Sequence, residues 1–148
     1  MGCTESSQPT LVDSNNLLDK KQKRRINAII THWFGTREEW NRSSAPTAEH
    51  AELWFGGLPD HDRKITNEFM GDYEKYLKGE YDTWKQDKDG RLAAIILLDQ
   101  FPRHFFAKKR EAYQADHIAL KISQNIIKNA EQFAEYEAFE KVFILMPL

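Results

Sequence analysis

From Leu92 to Leu98 the chain reads Leu-Ala-Ala-Ile-Ile-Leu-Leu without a polar interruption, and it then passes straight into Asp99-Gln100-Phe101-Pro102-Arg103-His104. A segment that is apolar on every side has no face to offer water, so other elements must surround it, and any fold this chain adopts is built around that run. Periodicity alone is compatible with a buried strand. The adjacent Ala93 and Ala94, and the helical patterns on either side, favour a helix. Its carboxy-terminal end then carries a carboxylate, an amide, a guanidinium and an imidazole around a Pro102 break.

The rest of the chain has helical spacing nearly throughout. Ile26, Ile29, Ile30, Trp33 and Phe34 fall at i, i+3, i+4, i+7 and i+8, and Gly35 supplies a left-handed stop. A Thr47 cap predicts a short helix to Trp54-Phe55, ended by Gly56-Gly57, with 38–46 as connecting loop. Trp-Phe-Gly occurs twice, read as two similar helix endings rather than as an internal repeat, because the flanking residues do not match. Asp60 or Asp62 is expected to cap the next helix. Its apolar stripe is Ile65, Phe69, Tyr73, Tyr76 and Leu77, with Asp72, Glu74, Lys75 and Lys78 facing water and Gly79 at its end. Asp87-Lys88-Asp89-Gly90 reads as a turn. Beyond the central run, one helix is predicted from about Glu111 to Lys128, burying Ala115, Ile118, Ala119, Ile122 and Ile126. Another starts near Tyr136 and buries Phe139, Val142, Phe143 and Met146 before Pro147. No alternating β-branched run with hairpin turns is present, so the expected fold class is all-α.

Size and composition fit one globular domain: 148 residues, 41% hydrophobic and 12% aromatic, with four Trp and nine Phe. The expected organisation is a tail over 1–16 and a single helical domain over 17–148. A net charge of −2 provides no basic field for a polyanion, which argues against nucleic acid as a partner. The single cysteine, Cys3, has no internal disulfide partner, and no run of about twenty apolar residues exists, so an intracellular, cytoplasmic protein is expected. The start, Met1-Gly2-Cys3-Thr4-Glu5-Ser6, fits N-myristoylation at Gly2 with a second acyl chain at Cys3. Two chains would anchor the protein peripherally on a membrane, and Lys20-Lys21-Gln22-Lys23-Arg24-Arg25 would add attraction to anionic lipid; the plainer reading of that basic run is a solvated helix face.

Trp33-Phe34-Gly35, Trp54-Phe55, Phe69, Gly79, Trp84, the Leu92–Arg103 segment with its Leu-Asp-Gln-Phe-Pro-Arg core, Asp116 with Ala119, and Phe143 through Met146-Pro147 together resemble the domain of unknown function 924 family over roughly residues 26–148. That resemblance implies paired antiparallel helices stacked into a tetratricopeptide-like bundle, and no established activity. Family members typically continue with a His-Ser-Glu motif and a Phe-Pro-His-Arg-Asn motif. This sequence stops at Leu148 without them, which leads to the expectation of a fold truncated at the carboxy terminus, with apolar surface left for a partner.

The candidate chemistry lies at the Pro102 corner. Asp99 is expected near the end of a buried helix, where the dipole disfavours a carboxylate, and Arg103 or His104 would have to supply the compensating charge. A carboxylate, a guanidinium and an imidazole converging there would serve anion binding or acid–base chemistry, with Gln100 and Asp116 as further ligand-binding candidates. The same residues are explained without a substrate by a buried ion pair that fixes a helix corner. The five histidines, His32, His50, His61, His104 and His117, show no metal-ligand spacing, and no cofactor or metal is called for. Two readings follow: a helical interaction module that docks another polypeptide, held at a membrane surface by Gly2 and Cys3; or a small-molecule-binding protein or hydrolase-like enzyme using Asp99, Arg103 and His104. The first is preferred, and catalysis is not the expectation.

Overall fold

A computed structural model describes residues 18–36, 38 and 47–148, and among them every regular element is helical. The order is α1 (Lys20–Phe34), α2 (Ala48–Phe55), α3 (Pro59–Leu77), a 3₁₀ turn (Asp82–Gln86), α4 (Lys88–Ile95), a π turn (Ile96–Gln100), α5 (Pro102–Phe105), a second 3₁₀ turn (Arg110–Tyr113), α6 (Asp116–Ile127), α7 (Ala130–Ala134) and α8 (Ala138–Leu145). The fold is all-α.

The central run is helical, and all seven residues from Leu92 to Leu98 are fully buried at 0% exposure. α1, α6 and α8 pack on α4, while α3 packs on α5 and on the π turn, so the apolar rod is covered on all sides. Pro102 does not break it. The backbone stays in the helical region at Ile96 and at Phe101, and the Phe101 amide reaches back five residues to the Ile96 carbonyl at 2.9 Å. Proline lacks the amide that an α-helical ladder needs, and one widened π turn carries the chain past it at the start of α5, where that amide is dispensable.

Local chemistry accounts for most boundaries. The Asp19 carboxylate accepts from the Gln22 amide at 2.7 Å and starts α1, which buries all five of its predicted apolar residues. Thr47 caps α2. The two Trp-Phe-Gly endings are unlike: Phe34 is buried and Phe55 is 66% exposed. Asp60 and Asp62 do not cap α3; Pro59 occupies its first turn behind Leu58, and both carboxylates lie within that turn, facing the positive end of the helix dipole. Leu77 is 46% exposed, outside the stripe assigned to it. Asp72 is buried rather than solvated, because Arg25 reaches it from α1.

Asp87-Lys88-Asp89-Gly90 is a helix start. The Asp87 side chain accepts from the Gly90 amide at 2.8 Å, and Gly90 lies so close to Trp84 that a β-carbon would sit 2.4 Å from its carbonyl oxygen. The helix expected from Glu111 is divided into the second 3₁₀ turn and α6, and α7 was not anticipated. α8 turns Phe143 and Ile144 inward and leaves Val142 and Met146 at 46% and 40% exposure, contrary to the expected face.

Candidate functional site

Asp99 and Arg103 are four residues apart across the π turn and α5, which puts both side chains on the side facing α6. Arg103 Nη2 donates to both Asp116 oxygens, at 3.0 and 3.1 Å, and lies 3.6 Å from Asp99 Oδ1. Arg103 Nη1 donates to the Ala112 carbonyl, and the guanidinium carbon stands 4.2 Å from the centre of the Tyr113 ring. The Arg103 bond to the Ala112 carbonyl occupies an oxygen that a continuous helix would have used, at the point where the predicted helix divides. Gln100 Nε2 donates to Asp99 Oδ2 at 2.6 Å and lies 3.4 Å from Met146 Sδ. Two carboxylates thus share one guanidinium. Burial pushes the Asp99 carboxyl above its ordinary range, with Asp116 adding to the shift and Gln100 and Arg103 opposing it.

The structure brings together four of the five candidates at this corner, Asp99, Gln100, Arg103 and Asp116, and directs His104 elsewhere. Consecutive helical residues point in directions about 100° apart. His104 therefore faces α3, where Nδ1 lies 2.8 Å from Asp62 Oδ1, and its ring stands edge-on to Trp33 at 5.9 Å. Asp62 and His104 line a shallow groove with Thr66, Asn67 and Lys109. Gly2 and Cys3 lie outside the described residues.

Two polar clusters escaped the reading of the sequence. The first joins α1 to α3: Arg25 donates to Asp72 through Nε and Nη2, the shortest contact being 2.6 Å, and the Tyr81 hydroxyl donates to Asp72 Oδ1 at 2.7 Å. An arginine and an aspartate 47 positions apart leave no spacing signal. The second is a cleft of about 350 Å³ whose lining includes Thr31 and His32 of α1, Glu49 and His50 of α2, and His61 and Lys64 of α3. His50 Nδ1 pairs with the Thr47 hydroxyl at 2.8 Å. His32 Nε2 and His61 Nδ1 are buried with no hydrogen-bond partner. An unsatisfied buried polar atom costs on the order of 1–3 kcal/mol. Burial holds the His32 imidazole below its ordinary pKa; Lys64, His104 and His61 push the same way, and Glu68 opposes them.

Compared with known proteins, residues 29–148 match the model of a family described as bacterial proteins of unknown function, DUF924. The chain belongs to that family. A solved structure, that of the protein of unknown function ATU0120 from Agrobacterium tumefaciens, superposes with a TM-score of 0.64 at 21% identity. The match covers 82% of this chain and 61% of that one, so the chain spans about three fifths of that protein's length, and the likeness establishes the fold alone. No curated protein matches the chain. The Leu-Asp-Gln-Phe-Pro-Arg segment, which carries the family resemblance, runs from the π turn into the opening of α5.

Proposed function

We propose that this DUF924 chain is a helical docking module whose α8 face receives an amphipathic helix of another polypeptide. One observation carries the reading. Val142, Leu145 and Met146 stand at i, i+3 and i+4 on α8, and with Leu148 they are 40–57% exposed, while Phe143 and Ile144 hold the opposite side of the helix in the core. Apolar residues at that spacing form a stripe that a second helix covers. Met146 in turn touches Gln100, which continues the stripe onto the Asp99–Arg103–Asp116 network and offers polar groups at its rim. Acyl chains on Gly2 and Cys3 would hold the module at a membrane surface, with the helical domain facing the partner. Among the described residues no helix is long and apolar enough to cross a membrane, so attachment of this kind rests on the acyl chains.

Ligand binding or hydrolysis by Asp99, Arg103 and His104 has less support. His104 is committed to Asp62, and Arg103 to Asp116 and the Ala112 carbonyl.

The test is recovery of the full chain from its native cells in mild detergent, compared with Leu145→Asp and, as a control on another surface, Leu77→Asp. A stoichiometric companion kept by the control and lost by Leu145→Asp is the expected result. A chain recovered alone, or a companion indifferent to Leu145→Asp, overturns the reading. Gly2→Ala and Cys3→Ser should each move the protein from the membrane to the soluble fraction.

A further inference from the structure

The first turns of α1 send their polar side chains in two directions. Gln22 and Arg25 turn toward the molecule: the Gln22 side-chain oxygen accepts from the Thr83 hydroxyl at 3.3 Å and from Trp84 Nε1 at 3.1 Å, and Arg25 pairs with Asp72. Lys20, Lys21, Lys23 and Arg24 lie on the other side of the helix and are exposed, opposite the Ile26, Ile29 and Trp33 that hold α1 in the core. Among the described residues none of these four cations has an ion-pair partner. The carboxylate next to them, Asp19, is engaged in capping the Gln22 amide. In the adjoining turn Glu80 and Asp82 are matched by Lys78 and Lys85, so that turn supplies no net negative charge. The first turn of α1 has no acidic residue, and its cations sit at the positive end of the helix dipole, where they repel one another and meet amides of the same sign. The fold holds four like charges together and does not compensate them.

We propose that this face of α1 lies against an anionic lipid surface, with Lys20, Lys21, Lys23 and Arg24 among the headgroups. The inference rests on the reading that Gly2 and Cys3 carry acyl chains, and it gives that anchor a further signal: one acyl chain alone holds a protein marginally, whereas an acyl chain with a polybasic patch holds it stably. Cys3 precedes Lys20 by 17 positions, so the acyl chains would bring the cations within reach of the same surface. Lipid is favoured over a soluble polyanion because the acylation pattern lies on the same stretch of chain, and because a net charge of −2 offers nothing to the rest of a long polyanion. The orientation also suits the docking face. Trp33 and Phe34, near the other end of α1, meet Phe143 of α8 at 5.6 and 5.5 Å between ring centres. At about 1.5 Å of rise per residue, the cationic turns lie roughly 15–20 Å from that contact along the helix axis. Lipid at the amino-terminal end of α1 therefore leaves the apolar stripe of α8 open to a partner.

The experiment is co-sedimentation of the full chain, produced without acyl groups, with vesicles of phosphatidylcholine alone and of phosphatidylcholine mixed with phosphatidylserine, at low and at physiological salt. Binding to the serine-containing vesicles alone, weakened by salt, is expected. A cation near an anionic surface is worth roughly fivefold in partitioning, so Lys21→Gln with Arg24→Gln should lower binding by roughly 10–30-fold. The charge-matched pair Lys108→Gln with Lys109→Gln, in the loop after α5, should leave it within about twofold, since those cations lie off the proposed face. All four substituted side chains are exposed, and glutamine is a good helix former, so neither pair puts the fold at risk. Absence of binding, equal binding to both kinds of vesicle, or equal loss in both pairs overturns the proposal. Displacement by duplex DNA or polyglutamate at matched charge also overturns it, and assigns the face to a soluble polyanion. The chain in this assay has no acyl group, so such a failure is separate from failure of the anchor, which shows in cells as a wild-type chain already in the soluble fraction.

Discussion

Arg103 shows how little a charged side chain's neighbours in sequence say about its role. It meets Asp116, thirteen residues on, bidentately, and Asp99, one turn back, only at 3.6 Å. The two carboxylates are therefore not equivalent, and their variants should differ. Arg103→Met removes the cation and leaves Asp99 buried beside an unpaired Ala112 carbonyl; with the guanidinium about one third exposed, the cost should be about 2 kcal/mol in urea unfolding. Asp99→Asn keeps the bond from Gln100 and should change stability by less than about 1 kcal/mol at neutral pH. The pH dependence has a definite sign. The Asp99 carboxyl titrates higher in the folded chain than in the unfolded one, so the native state binds more protons between those two values, and stability from this group declines as pH rises through that interval. Asp99→Asn should remove that decline, which unfolding measured across the carboxylate range would show. Asp72 is the contrasting case: it is buried against Arg25 and Tyr81, and Asp72→Ala should cost about 3 kcal/mol because a cation and a phenol lose their acceptor together.

At the scale of elements, what the sequence revealed was what a single local pattern encodes. α1 was legible because its apolar stripe and terminal glycine agree, though its Asp19 cap went unread, and the Leu92–Leu98 run because an all-apolar segment has nowhere to go but the centre. The failures came where distant contacts decide: Asp72 has the look of a surface carboxylate until Arg25 meets it, and α8 shows two apolar faces, of which packing on α4 selects one. Of the corner, the need of a buried Asp99 for a cation was readable, with Arg103 and His104 both open as its source, whereas the turn of His104 toward Asp62 depends on the path of the chain through the π turn. The cleft left no trace, since its histidines come from three helices. Glycines show the same division. Gly90 is packed against the Trp84 carbonyl, so Gly90→Ala should cost at least about 2 kcal/mol. Gly71 lies on the exposed side of α3 with nothing within 4 Å of an added β-carbon, so Gly71→Ala should stabilise by about 0.5–1 kcal/mol. Thermal denaturation of the pair separates a glycine required by close approach from one that merely costs helix entropy.

For the whole molecule, among the described residues the rod from Lys88 to Phe105 packs against α1, α3, α6 and α8, directly or through its π turn and α5. That arrangement predicts a single cooperative transition rather than stepwise loss of helix pairs. Leu97 is fully buried at its centre, and Leu97→Ala should cost about 2–5 kcal/mol, a large share of the stability of a domain this size. The docking face is organised in the opposite way. Leu145 is 43% exposed, and Leu145→Asp removes apolar contact that the isolated chain makes with water, so its stability should change by no more than about 0.5 kcal/mol even as the companion is lost. Urea titration followed by both far-ultraviolet circular dichroism and tryptophan fluorescence checks both statements, because Trp33 beside Phe101 and Trp84 beside Gly90 are fully buried against the rod and report its surroundings. Coincident curves, shifted to lower urea by Leu97→Ala and unmoved by Leu145→Asp, are the expected outcome. Separated curves would show that the outer helices hold together without the rod, and a large shift from Leu145→Asp would place α8's outer face in the fold rather than in an interface.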